Sequence, residues 1–290
     1  MALKRLSALD KRSIEELYVA GNSGMSIANL ISHPRSTVNG YIVKIFGKRI
    51  QRNKMKLNLS SEEKLGEFIG AFAGDGNLYY SHKKHYQVSI FTDLKEIVYA
   101  NYLSKLMREL LGRVPHVRPH KGTRGNTTLV VQIHGEEAVN LIKRFLTFKS
   151  GDGEKKTYSV RLLNSVESYS KKFLRGFIKG LVASDGSVYF KYYPNRNRFF
   201  KNIEVNLTSK ELALQYKNAL DMFGINSRFY TYIPKNLIAK PVYEVHIKAL
   251  SSIQKFYYKI GLSEERKSAK LKNIMLASIP STSFSFLDRI

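Results

Sequence analysis

One pattern occurs twice in this chain. Residues 65–80, LGEFIGAFAGDGNLYY, return at 174–190 as LRGFIKGLVASDGSVYF, so Gly66, Gly70, Asp75 and Gly76 are answered by Gly176, Gly180, Asp185 and Gly186 at a constant offset of 110 residues. The segments downstream of the two copies also correspond. YQVSIFTDLKEIVYANYLSKLMRELLG (86–112) parallels IEVNLTSKELALQYKNALDMFG (203–224), an alternating strand passing through Thr92-Asp93 or Thr208-Ser209 into an amphipathic helix. TTLVVQIHGEEAVNLIKRFL (127–146) and VYEVHIKALSSIQKFYYKIG (242–261) again read as strand then helix. The chain is therefore an internal duplication of an α+β unit, with each half reading helix, two strands, helix, two strands, helix. The halves are expected at 58–165 and 166–290.

Residues 1–57 lie outside the repeat and carry 11 Lys/Arg against 3 Asp/Glu. They read as a small all-α domain with helices over roughly 10–20, 24–31 and 36–46. Ile14, Leu17, Tyr18, Ile27, Ala28, Leu30, Val38 and Ile42 form its core, and SHPRS supplies a turn and a helix start. The segment resembles the helix-turn-helix of site-specific recombinases and related regulators. That resemblance implies a third helix in the major groove, with Arg35, Ser36, Thr37 and Asn39 as its contacts. A tether comes next, whose Lys48, Arg49 and Arg52 suit a phosphate backbone. A basic three-helix lid packed on the main body is the alternative reading.

The charge balance narrows the partner. Lys plus Arg number 48 against 23 Asp plus Glu, a net charge of +25, which favours nucleic acid first and an anionic membrane surface second. The 18 tyrosines, and basic residues interspersed with Asn and Ser, favour nucleic acid. With no cysteine there is neither a disulfide framework nor a Cys-ligated zinc, which suits the cytoplasm or an organelle matrix. No apolar run of spanning length and no signal-peptide core occurs, so no membrane role is expected. The seven histidines are scattered, and the pairs His82/His85 and His116/His120 lack the carboxylate cluster that a zinc or HNH site would need.

In the repeated segments small residues recur every four positions: Gly66, Gly70 and Gly74, then Gly176, Gly180 and Ser184. Such a stripe lets two helix backbones approach closely. Pairing the two segments gives a pseudo-twofold molecule in which Asp75 and Asp185 meet at one end of the helix pair. Two carboxylates at helix C-termini are unfavourable when bare, because they repel each other and the helix dipoles. A Mg²⁺ ion removes that problem: it is hard, prefers oxygen, and binds through one or two carboxylates plus water and phosphate oxygens. Metal held there would serve two-metal phosphodiester hydrolysis.

FIGAFAGDG and FIKGLVASDG resemble the paired signatures of LAGLIDADG homing endonucleases in their single-chain, two-motif form, over roughly residues 60–280. The resemblance implies a pseudo-twofold pair of αββαββα units in a monomer, with sheets forming a saddle on a double-stranded DNA target. It implies divalent metal at Asp75 and Asp185, with the neighbouring Gly74 and Ser184 counted in the metal site. The metal would be Mg²⁺ or Mn²⁺, with Ca²⁺ as a non-catalytic substitute. Both strands of a long asymmetric site would be cut across the minor groove, leaving short 3′ overhangs. Ala73 and Ala183 stand where the signature has its first aspartate, a variable position. Family members also use basic or amide side chains beside the metal, which implies Lys155 or Lys156 and Arg266 or Lys267; Lys156 and Lys267 are carried forward. An intron-encoded or free-standing nuclease is expected rather than an intein, since the chain shows no N-terminal nucleophile and no terminal His-Asn. The same scaffold also serves non-cleaving bacterial transcription regulators and maturases that bind intron RNA.

Strand alternation separates core from groove positions. In the first half Gln87, Ser89, His116, Arg118, His120, Gln132 and His134 point outward. In the second the outward set is Tyr189, Lys191, Asn202, Glu204, Asn206, Thr208, Arg228, Tyr230, Tyr232, Glu244, His246 and Lys248. These side-chain types read base edges, and the two rows differ, so the preferred site should be asymmetric.

Overall fold

The structure, a computed structural model, describes residues 6–19, 22–47, 55–80, 85–122, 125–149, 156–193, 195, 198–234 and 240–277; the expected tether contacts Lys48, Arg49 and Arg52 lie outside them. The chain divides into two units, within 1–54 and 55–290.

The smaller unit has three helices: α1 (Ala8–Val19), α2 (Gly24–Leu30) and α3 (Arg35–Phe46). Ser23 caps α2 by accepting from the Ser26 amide, and Pro34 sets the entry to α3. Ile14, Ile27, Ala28, Val38 and Ile42 are its buried core, with Leu17 and Tyr18 packed against them. Leu30, expected in that core, is 64 % exposed because it falls on the outer side of the last turn of α2.

The larger unit holds both repeats. The first runs α4 (Glu62–Asp75), β1 (Gly76–Tyr80), β2 (Tyr86–Asp93), α5 (Ile97–Leu111), β3 (His116–Lys121), β4 (Thr127–His134) and α6 (Glu136–Phe145). A short link comes next: β5 (Leu146–Thr147), α7 (Lys156–Ser159) and β6 (Arg161–Leu162), with β5 and β6 paired antiparallel. The second repeat runs α8 (Lys171–Asp185), β7 (Gly186–Tyr193), β8 (Arg198–Leu207), α9 (Lys210–Asp221), β9 (Arg228–Tyr232), β10 (Val242–Ile247) and α10 (Leu250–Lys259), then α11 (Glu265–Leu276).

The sheets have the same order, β1-β2-β4-β3 and β7-β8-β10-β9, every pair antiparallel. Val88, Ile90, Val131 and Ile133 of one sheet, and Ile203, Val205, Val245 and Ile247 of the other, are buried in a core that both halves share. The opposite face of each sheet is left to polar and aromatic side chains. Helix starts are capped as the sequence demands: Ser61 accepts from Lys64 N at α4, Ser170 from Phe173 N at α8 and Ser209 from Leu212 N at α9.

Candidate active site and nucleic-acid interface

The glycine stripes bring α4 and α8 together. A β-carbon on Gly66 would stand 2.0 Å from the Phe173 carbonyl oxygen, one on Gly70 2.2 Å from that of Phe177, and one on Gly74 2.2 Å from Ser184 Oγ. Reciprocally, Gly176 faces the Glu63 carbonyl and Gly180 that of Glu67, at 1.9 and 2.1 Å from where a β-carbon would be. Contact partners advance in the same direction along both helices, so the pair is parallel and both C-termini lie together. Ala73 and Ala183 are buried in the same interface.

Each helix ends on its aspartate, and the next residue begins a strand at the edge of its sheet. Asp185 Oδ2 lies 3.0 Å from the β-carbon position of Gly74, the residue before Asp75. Asp75 is open to solvent on one side and crowded by protein on the other. That crowding first, and then the charge of Asp185, raises its carboxyl to about 7, against the pull of Lys156 and Lys267. Asp185, half-buried, is also raised by burial, with the same two lysines opposing. Both negative charges are therefore disfavoured in the protein alone.

Lys156 and Lys267 occupy equivalent places behind the two carboxylates. Lys156 Nζ donates to the carbonyls of Phe72 (2.7 Å), Gly74 (3.1 Å) and Gly76 (2.6 Å). Lys267 Nζ donates to those of Val182 (3.0 Å), Ala183 (2.5 Å) and Ser184 (3.2 Å). An ammonium has three donors, so each lysine is fully committed to the negative end of one motif helix. Burial lowers Lys156 to about 8, against Asp185 and Asp75, and also lowers Lys267. The resemblance implied that these lysines act on water or developing charge; in the structure all three donors of each are taken by backbone carbonyls. Arg266, the alternative to Lys267, pairs with Glu96 and Glu264.

Among the described residues no group of three or more His, Cys, Asp and Glu could by itself hold a metal ion. The oxygen set here nevertheless fits a hard divalent cation: two carboxylates whose charge is disfavoured, open to solvent on the Asp75 side. The Gly74 and Ser184 carbonyls each accept from a lysine and keep a second lone pair.

Strand register puts the expected outward residues on one face of each sheet. In the first, Ser89 lies opposite Gln132, Gln87 opposite His134 and His116 opposite Gln132. They are joined as a ribbon: Gln87 Nε2 donates to Ser89 Oγ (3.0 Å), Arg118 Nη2 donates to Gln132 Oε1 (3.0 Å), and Gln132 Nε2 meets His134 Nε2 at 3.0 Å. His120 stacks edge-on against Phe91. In the second, Asn202, Glu204, Asn206, Glu244 and His246 form one network, in which Asn202 Nδ2 donates to Glu204 Oε2 (2.8 Å) and His246 Nε2 meets Glu244 Oε2 at 2.9 Å. Tyr230 lies edge-on to His246 and beneath Lys248. Arg228, Tyr232, Tyr189 and Lys191 are exposed on the same face.

Four of the expected readers are covered rather than free to reach a base: Ser89, Gln132, Asn202 and His246 are buried by their neighbours and orient them. Alternation gives the side of a sheet but not the depth below longer side chains. Thr208 is likewise occupied, donating to the Thr157 carbonyl. Asn77, Tyr79 and Tyr193 share the open faces and were missed, although the same alternation in 76–80 and 186–193 marks them. On α3, Arg35 and Ser36 are exposed and Thr37 half-buried, but Asn39 turns inward against Gly24 and leaves the outer face.

Residues 172–261 match the model of the LAGLIDADG-like domain. The replication factor C small subunit of Methanocaldococcus jannaschii is 27 % identical over 230 residues, 78 % of this chain and 11 % of that protein. The ATP-dependent DNA helicase Hel308 of the same organism is 33 % identical over 117 residues, 36 % of this chain and 9 % of that protein. The chain thus spans about a tenth of the length of these relatives. Among solved structures, the homing endonuclease I-DmoI in complex with DNA and Ca aligns with a TM-score of 0.49 at 16 % identity, covering 73 % of this chain and 98 % of that one. I-WcaI bound to its DNA recognition sequence gives 0.46 at 20 %, covering 72 % and 86 %. The N-terminal LAGLIDADG domain of DUF199/WhiA gives 0.44 at 17 %, covering 74 % and 87 %.

Proposed function

We propose that this protein, whose second half is a LAGLIDADG-like domain and whose first half repeats its motif, is a site-specific endonuclease that cuts both strands of an asymmetric duplex DNA target. One observation carries the reading: two carboxylates, one per repeat, stand at the shared end of parallel helices, each backed by a lysine locked to the helix end. A pure DNA binder has no use for two disfavoured carboxylates facing phosphates.

Asp75 and Asp185 would hold Mg²⁺ or Mn²⁺, with the Gly74 and Ser184 carbonyls beside them and Ca²⁺ as an inactive substitute. Bound there, the metal supplies an activated water and stabilises the leaving oxygen of the phosphodiester. The rest falls to the chain. Lys156 and Lys267 fix the helix ends, so both carboxylates keep their spacing when the phosphates arrive. The first sheet offers Arg118 and Gln87 to base edges; the second offers carboxylate acceptors, Glu204 and Glu244, suited to amino groups of cytosine or adenine. Unequal rows select an asymmetric site, and because one chain carries both halves of the centre, a monomer suffices.

The test is to incubate the protein with a duplex library and Mg²⁺ and compare Asp75→Asn and Asp185→Asn. Undiminished cleavage by both variants would refute the mechanism. Binding by the parent without cutting would favour a regulator, and preferential binding of structured RNA a maturase.

A further inference from the structure

The two lysines that hold the motif helices are themselves held from the opposite half. Lys156 secures the end of α4, in the first half, yet the short helix α7 that carries it is tied to the second. Thr208 Oγ1 donates to the Thr157 carbonyl at 2.8 Å, buried Ser209 Oγ donates to that of Val160 at 2.7 Å, and the Lys240 ammonium lies 4.0 Å from the centre of the Tyr158 ring. Lys267 secures the end of α8, in the second half, from the first turn of α11. Buried Glu264 caps that turn by accepting from the Arg266 and Lys267 amides, at 3.0 and 2.8 Å, and the Arg266 side chain runs on to Glu96 of the first half.

The two anchor points correspond. Thr208 and Ser209 follow directly on β8, whose outward row is Asn202, Glu204 and Asn206, and Ser209 caps α9. Glu96 stands three residues past the end of β2, whose outward row includes Gln87 and Ser89, and it closes a capping box with Asp93 by accepting from the Asp93 amide at 3.1 Å. In each half, therefore, the turn that ends the second strand grips the immediate sequence neighbour of the lysine backing the other half's aspartate: Thr157 beside Lys156, Arg266 beside Lys267. A displacement of either strand end reaches the opposite lysine through one side-chain contact and one peptide unit.

On the nuclease reading, we propose that these crossed ties couple the two cuts, so that seating one sheet on its half of the target sets the lysine, and with it the carboxylate, of the other half. Thr208, Ser209 and Glu96 are then positioning residues that act through Lys156 and Lys267. A duplex that matches only one half of the target leaves one carboxylate unset.

The experiment uses the full chain, first without DNA or metal. The Gly76 amide closes the last turn of α4 on the Phe72 carbonyl, and the Gly186 amide closes α8 on that of Val182, the same oxygens that the lysines engage. Hydrogen exchange at these two amides reads how firmly each helix end is held. Thr208→Val, which removes the hydroxyl, is expected to speed exchange at Gly76 about ten-fold and leave Gly186 unchanged. Glu96→Gln, which keeps an acceptor for the Asp93 amide but drops the charge facing Arg266, is expected to do the reverse, and Thr208→Ser to behave as the parent. With Mg²⁺ and a selected duplex labelled on each strand, the first two variants should slow the cutting of opposite strands about ten-fold. Faster exchange only in the mutated half, at both glycines alike or at neither overturns the inference, as does equal slowing of both strands. Crossed exchange in a protein that cuts no duplex would refute the nuclease reading alone, whereas cutting with uncrossed exchange would refute this inference alone.

Discussion

Replacing Gly180 by alanine separates two accounts of the motif helices by the sign of the effect. If the glycine were incidental, alanine would stabilise α8 by about 1 kcal/mol through helix propensity. The structure predicts the reverse. The new β-carbon would lie 2.1 Å from the Glu67 carbonyl oxygen and 2.7 Å from the Ala71 amide nitrogen, both backbone atoms that no rotamer change can move. Relief requires the helices to separate by about 1 Å, a gap that forfeits a quarter to a half of the dispersion attraction of the atoms it parts. Overpacking costs about 1–3 kcal/mol where side chains yield, so a rigid contact belongs at the upper end, and the net loss after the propensity gain is about 2 kcal/mol. In a urea titration at a slope of about 2 kcal/mol per M, the midpoint falls by about 1 M. The shift also moves Asp185 relative to Asp75, so Mg²⁺-dependent cleavage should fall more than DNA affinity measured in Ca²⁺. A neutral or stabilised Gly180→Ala variant would refute the close-packing argument and the placement of the carboxylates that depends on it.

Magnesium should raise the unfolding temperature of the DNA-free protein and leave an Asp75→Asn, Asp185→Asn double variant unmoved; an equal response by calorimetry would count against a metal at this pair. Lys156→Met and Lys267→Met, which strip the donors from three carbonyls each, should lower the cleavage rate about 10- to 100-fold with little change in duplex affinity; a purely affinity-based defect would contradict the positioning role. Glu67 is buried with its carboxyl raised, by burial first, while Tyr102 donates to it at 2.8 Å. A raised carboxyl stabilises the fold below the ordinary carboxylate range and loses that contribution as pH rises through its folded value. Glu67→Gln should therefore flatten the decline in stability above about pH 4.5, and a parallel pH profile would exclude this. Arg118→Ala should cost about 1–3 kcal/mol of duplex affinity and relax selectivity at one base pair, as read by reselection from a library.

The order of elements was legible because the repeat supplies two independent copies of each signal: glycine every four residues marks the helix pair, and period-2 alternation marks the sheets. The two lysines could be placed near the site, but not their role. A lysine's sequence position says nothing of whether its three donors are free, and here the carbonyls that bind them are about 80 residues away. The link elements β5, α7 and β6 are two to four residues long, too short for any periodicity to show. Leu30 misled because the seven-residue α2 gives two plausible faces, and Asn39 because its packing on Gly24 of α2 is a tertiary contact that the periodicity of α3 does not show.

The departures from symmetry carry as much information as the repeat. Where α4 has Glu63 and Glu67, α8 has Phe173 and Phe177 at the same offset, while α8 contributes Arg175 and Lys179 where α4 has Leu65 and Ile69. Glu63 accepts from Lys179 at 2.7 Å and pairs with Arg175 at 3.5 Å, and Ser170 donates to Glu62 at 2.7 Å. Pairing two copies of the first half would set Glu63 against Leu65 and Ile69, and two copies of the second would set Arg175 and Lys179 against Phe173, leaving these charges without partners. The duplicated halves have thus diverged into complementary partners. The same divergence continues on the open sheet faces, where the first row lacks carboxylates and the second mixes Glu204 and Glu244 with basic side chains; on the proposed reading, such unequal rows would suit a target that is not itself twofold.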